Sequence, residues 1–314
     1  MARRAAIGLL LVLSLALAGC GLGAGDSTEG GASLLVTRDF GEREIGRAAQ
    51  DPIKGGETVM RMLQREFDVQ TRYGGGFVQA INGIPGGQQD GRPVDWFYYV
   101  NGVLASDGAA AHKLSSGDKV WWDRRDWGAS QDVRAVVGAF PEPFLSGLHG
   151  KKLPVRLDCA QDAEDACDDV AARLADAGVK VGGRGSINGP GGEALIRVKV
   201  GRWAEVRKDP TVRQLEKGPR ASGVYAVPSA DGSSIDLLDP AGEVQGTLRA
   251  GGGLVAATAL TGEAPTWIVT GTDDVGVAAA AAQLQSDRLK NRYAIAVRDG
   301  QPSPLPVQPR PVAP

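Results

Sequence analysis

The sequence predicts an α+β protein made of two successive folded regions, and three observations carry this. Glycine supplies 45 of the 314 residues, about twice the usual share of ~7%, which favours turns and strand connections over a helical bundle. Seven of the seventeen aromatic residues fall between Trp96 and Trp127, marking one region. Beyond them, apolar strands alternate with helical patterns, the arrangement of an α/β layer. A chain of this length holds two domains of ordinary size.

The N-terminus comes first. Arg3 and Arg4 precede an apolar run from Ile7 to Ala18, which closes in Leu17-Ala18-Gly19-Cys20. Basic, apolar, then small is the order of a secretory signal, and the run is shorter than the about 20 residues of a membrane-spanning helix. The closing four residues resemble a bacterial lipobox. That implies removal of residues 1–19 and a diacylglyceryl lipid on Cys20, whose two chains hold a protein on a membrane where one holds it only marginally. Losing Arg3 and Arg4 takes the net charge from −2 to −4, so nothing suggests a nucleic-acid partner. Residues 20–32 then form the lipidated cysteine and a flexible tether.

In the first region, 33–130, Leu34 to Thr37 is a short strand. Glu57 to Phe67 is a helix, with Val59, Met60, Leu63 and Phe67 on one face and Arg61, Gln64 and Arg65 opposite. Phe77 to Ile81 is a strand that ends at Asn82-Gly83. Trp96 to Val100 is another, and Asn101-Gly102 after it is a two-residue hairpin signal. Gly117-Asp118 turns into a last strand, Lys119 to Asp123. One helix over a small mixed sheet suits this order. Along the strands Trp96, Tyr98 and Val100 share one face while Phe97 and Tyr99 share the other. One set must be core; the other is packing as well or is open to a flat ligand. Trp121 and Trp122 divide in the same way, and both are buried only if something covers the second face.

Gly75-Gly76-Phe77-Val78-Gln79-Ala80-Ile81-Asn82-Gly83-Ile84, then Trp96-Phe97-Tyr98-Tyr99-Val100-Asn101-Gly102, Gly108 and Lys113-Leu114-Ser115-Ser116-Gly117-Asp118-Lys119-Val120, resemble the transcobalamin-like C-terminal domain over about 100 residues. The resemblance implies a β-grasp-like fold here. It also implies a ligand-facing aromatic at Trp96, with Tyr98 and the Ile81-Asn82-Gly83 turn beside it, and a cobalamin-like ligand. The helical barrel that forms the other wall in vertebrate cobalamin carriers has no counterpart in this chain.

Residues 131–152 read as a linker, and 153–299 as an α/β domain containing βαβ units. Leu153 to Leu157 is a strand, and Asp162 to Ala177 a helix stopped by Gly178. Val179 to Val181 resumes as strand. Ala194 to Val200 alternates, with Ile196, Val198 and Val200 inward and Arg197 and Lys199 outward. A helical stretch from Trp203 to Leu215 is broken at Asp209-Pro210. Strands follow at Val224 to Val227, Ile235 to Leu238, Leu254 to Leu260 and Trp267 to Thr270, then helix Val275 to Lys290 and strand Tyr293 to Val297. Residues 300–314, with six prolines from Gln301 onward, read as an extended disordered tail.

The chemistry-bearing candidates are few. Lipidation of Cys20 leaves Cys159 and Cys167, which in an oxidising space form either a disulfide or two reduced thiols. Neither His112 nor His149 lies near them in sequence, so no zinc site is expected. The glycine-rich stretch Gly182 to Gly189 leads toward a strand, not the helix a phosphate loop needs, and reads as a long loop. Asp273 or Asp274 is explained as a helix cap. The acidic start Asp162, Glu164, Asp165, Asp168 and Asp169 suits the helix dipole. No nucleophile elbow is present and no nucleophile has a nearby histidine base, so no catalytic residue is assigned; a hydrolase would need carboxylates brought together only in space.

The expectation is a lipid-anchored protein on the extracytoplasmic face of the cell membrane. It would not be an enzyme, and would present a small corrinoid-like ligand to a membrane transporter. The alternative is a surface module that binds another protein or a wall polymer.

Overall fold

A computed structural model describes residues 30–187, 189 and 194–308. Cys20, the signal segment and most of the tether lie outside the described residues, as do 309–314. Among the described residues no helix is long and apolar enough to cross a membrane. The protein is mixed α/β, mostly sheet with few helices.

In the first half, β1 (Ala32–Arg38) and β2 (Arg43–Gln50) form a hairpin. α1 (Val59–Glu66) follows, capped by Thr58, whose hydroxyl accepts from the Arg61 amide at 3.2 Å. β3 (Val69–Arg72), β4 (Phe77–Ile81) and β5 (Ile84–Pro85) make a small separate sheet. β6 (Gly87–Gln89), β7 (Arg92–Val100), β8 (Val103–Leu104) and β9 (Lys119–Asp126) complete the main one. Its order is β2-β1-β9-β7-β6, with β1 and β9 parallel at the centre and β8 paired to β7. Asn101 and Gly102 take φ values of 54° and 77°, which a two-residue hairpin turn requires.

In the second half, β10 (Val155–Cys159), α2 (Glu164–Asp176) and β11 (Val181–Ser186) form a βαβ unit, its two strands parallel. β12 (Ile196–Arg202), α3 (Trp203–Val206), a 3₁₀ turn at Val212–Lys217 and α4 (Pro219–Ser222) come next. β13 (Ala226–Pro228), β14 (Ile235–Leu238) and β15 (Val244–Leu248) make a three-stranded meander. The chain ends with β16 (Gly253–Thr258), β17 (Thr266–Gly271), α5 (Asp274–Ala281), α6 (Ser286–Leu289), β18 (Ala294–Arg298) and β19 (Gln301–Leu305). The main sheet runs β11-β10-β12-β17-β16-β18-β19.

Several expectations change. Residues 131–152 are no loose linker: Val133, Val136, Val137, Phe140 and Phe144 are buried, and Val136 and Val137 donate to Gly102 and Tyr293 carbonyls. Gly182 to Ser186 is an edge strand, not a loop. Arg197 and Lys199 are buried, not outward. Parallel strands are covered on both faces; α2 and α5 pack on β12 through Ile196, Val198 and Val200, while Arg197 on its other face meets Asp209 and Thr211. The helix expected over Val275 to Lys290 breaks into α5 and α6, with Leu284 and Leu289 buried around the break. Gln301 to Leu305 is not a disordered tail but pairs with β18, and Ala32 already belongs to β1, so the tether ends sooner.

Candidate functional site

Alternation along β7 and β9 decides where the aromatic residues go. Trp96, Tyr98, Val100 and Trp122 pack under α1 with Met60 and Leu63. The indole of Trp96 donates to the Ile84 carbonyl at 3.1 Å. Tyr98 stacks on Trp122 at 4.9 Å, and its hydroxyl donates to the Asp107 carbonyl at 2.6 Å. Burial, with Asp107 nearby, pushes the Tyr98 phenol above its ordinary range. Ile81 is also buried. Of the five residues the resemblance singles out, Trp96, Tyr98 and Ile81 therefore lie in the core, and Asn82 and Gly83 lie on an exposed turn. Asn82 accepts there from the Asp68 amide at 3.0 Å.

The opposite face is covered too, by the second half of the chain. Phe40, Tyr99 and Trp121 share one apolar cluster with Trp203, Tyr225 and Tyr293. A polar knot lies inside it. Fully buried Asp123 accepts from the Thr37 hydroxyl at 2.5 Å, the Gly41 amide at 3.1 Å and the Tyr293 hydroxyl at 2.9 Å. The Trp121 indole donates to the Thr37 hydroxyl at 2.7 Å. Next to it, the Arg125 guanidinium lies 3.9 Å from the centre of the Phe97 ring and donates to the Ser130 and Gln131 carbonyls.

Where this contact opens, a crevice of about 600 Å³ is left. One wall is Leu35, Arg47 and Ala49 of the β1–β2 hairpin with Trp121; the other is Gly138, Phe140 and Lys290. The walls are mostly apolar. Gly138 is required by close approach, since a Cβ there would stand 2.7 Å from the Arg292 amide. Lys119 closes the floor, its ammonium donating to the Ala139 and Phe140 carbonyls, and burial lowers its pKa. Exposed Lys290 and Arg47, the latter paired with Glu44, set positive charge on the rim. Such a site can bind a ligand.

The other candidates have local explanations. Cys159 and Cys167 form a disulfide with Cα atoms 6.0 Å apart. Asp273 caps α5 by accepting from the Gly276 amide at 2.9 Å, while Asp274 pairs with Arg202. Beneath the glycine-rich edge, Lys199 bridges Asp158 at 2.8 Å and Asp209 at 3.2 Å, and Arg197 meets Asp209 at 2.6 Å. Burial alone would raise the Asp209 pKa, but Arg197 and Lys199 outweigh it and hold it low. Sequence spacing hid one further meeting: His112 and His149, 37 positions apart, bring their rings to 5.4 Å.

A domain of unknown function, DUF4430, matches residues 56–125. No curated protein matches the chain. Solved structures match in part, two among them of known subject. One is a "putative metal binding protein" from Ruminococcus gnavus ATCC 29149, at 15% identity over 32% of this chain and 99% of that one, with a TM-score of 0.25. The other is haptocorrin in complex with Cbi, at 13% identity over 32% of this chain, with a TM-score of 0.25. The match spans 27% of the haptocorrin chain.

Proposed function

We propose that this is a lipid-anchored binding protein of the extracytoplasmic membrane face, which takes part of a small corrinoid-like ligand into the crevice between its halves and presents it to a membrane uptake system. The crevice carries the reading. Its volume of about 600 Å³ lies within the roughly 300–1,000 Å³ of sites for drug-sized ligands, and apolar walls with a few polar groups are what such sites have. Its walls come from both halves, so a bound ligand would brace them together. The first half takes a β-grasp-like role in this reading, and a corrinoid is the specific ligand candidate. The anchor at Cys20 rests on the lipobox-like residues alone.

Trp121 on the wall gives the test. Titrating the purified chain with cobalamin should quench tryptophan emission saturably. Ala49→Phe, at an exposed position of β2 that lines the crevice, should weaken the effect at least tenfold without changing the melting temperature. A flat titration to millimolar cobalamin ends the corrinoid version, and unchanged binding by Ala49→Phe removes the ligand from the crevice. One observation favours a protein or wall-polymer partner instead: Tyr73 is 86% exposed and Phe77 37%, with rings 6.5 Å apart at the β3–β4 tip.

A further inference from the structure

His112 and His149 are the only histidines in the chain, and the fold sets them side by side. His112 is buried just ahead of the Lys113 bridge to Thr58. His149 sits on the tight turn between Leu148 and Lys151, exposed, with a φ of 51°. The crossing segment brings that turn over the first half, since the Gly147 carbonyl accepts from the Asn101 side chain at 2.9 Å.

The chemistry around the pair is asymmetric. His112 Nδ1 is 2.9 Å from Asp107 Oδ1. A carboxylate on one imidazole nitrogen fixes the tautomer and directs the other nitrogen to a metal. Among the described hydrogen bonds none takes His112 Nε2. Asp118 adds negative field, yet its own oxygens are taken by Asn101 and the Ser115 amide.

Spacing supports a shared ion. A nitrogen–metal bond of about 2.0–2.1 Å places each ring centre about 3.2 Å from the metal, so two imidazoles at a tetrahedral angle have centres about 5.2 Å apart. The observed separation is 5.4 Å, with ring planes 38° apart. Among the described residues no group of three or more histidine, cysteine or carboxylate side chains could hold a metal. We infer that His112 and His149 together bind one divalent late transition-metal ion, Cu²⁺, Ni²⁺ or Zn²⁺, with water completing the coordination and Asp107 positioning His112. Imidazole suits these ions, and Cu²⁺ should bind most tightly.

The test uses the untagged full-length chain carrying ¹⁵N-labelled histidine and one equivalent of Cu²⁺. Electron paramagnetic resonance should show coupling to two histidine nitrogens, with the splitting pattern changed by the label. His149→Ala, at an exposed position, should leave one such nitrogen and weaken Cu²⁺ affinity at least tenfold by calorimetry, with the melting temperature of the metal-free chain unchanged. Asp107→Asn should keep both nitrogens and weaken affinity about 10–100-fold. Equal affinity in wild type and His149→Ala, or a signal without histidine coupling, overturns the site. Neither outcome bears on the crevice, which these residues do not line.

Discussion

Asp123 shows what one buried carboxyl does at the junction of the halves. Burial pushes its pKa above the ordinary 3.8, although Thr37, Tyr293 and Gly41 all donate to it. A folded value above the unfolded one means the native state holds the proton longer. The stabilising contribution is then complete below the unfolded value and is lost as pH rises through the folded one. Asp123→Asn removes that titration. The stability of wild type relative to Asp123→Asn should therefore be greatest near pH 4 and fall as pH rises, as read by thermal melts across pH 4–8; a difference independent of pH would contradict this. The parity of Trp96, Tyr98 and Val100 against Phe97 and Tyr99 was legible in the sequence, because strand alternation fixes it. Which face is covered was not legible, because Tyr293 and Trp203 arrive from far along the chain. Lys199 misleads for a related reason: a charged residue between valines looks like a solvent face, and its burial is explained by Asp158, Asp209 and the Ile187 carbonyl, none of them near it in sequence.

Among the elements, the Cys159–Cys167 bridge ties the end of β10 to the first turns of α2 across eight positions. Closing so short a loop in the unfolded chain accounts for about 2.5 kcal/mol in the chain-entropy view. Reduction with dithiothreitol should lower unfolding free energy by about that amount in urea titrations, with the same loss in a Cys159→Ser, Cys167→Ser chain; no change on reduction would refute the bridge as a stabilising element. Elements with an apolar stripe, such as α1 and β14, were readable locally. β2 was not: with Arg43, Glu44, Gly46 and Arg47 it is an edge strand with little apolar signal. Its pairing with β1, more than its composition, makes it a strand. The crevice was equally hidden, since Leu35, Trp121, Phe140 and Lys290 share no local pattern.

For the molecule as a whole, the shared cluster around Tyr99, Trp121, Tyr225 and Tyr293 means that neither half covers its own apolar face. Unfolding of residues 30–308 should then be a single cooperative transition. The calorimetric and van't Hoff enthalpies should agree, and two resolved heat-capacity peaks would contradict a joint core. At the far rim of the seven-stranded sheet, β19 sets Pro302 and Pro304 opposite Val297 and Ile295. Proline has no amide hydrogen and is tolerated in a sheet only where that side meets solvent. Of the five positions only 302 and 304 face an incoming strand, so that strand finds both outward donors missing, and neighbouring copies are kept from zippering edge to edge into fibrils.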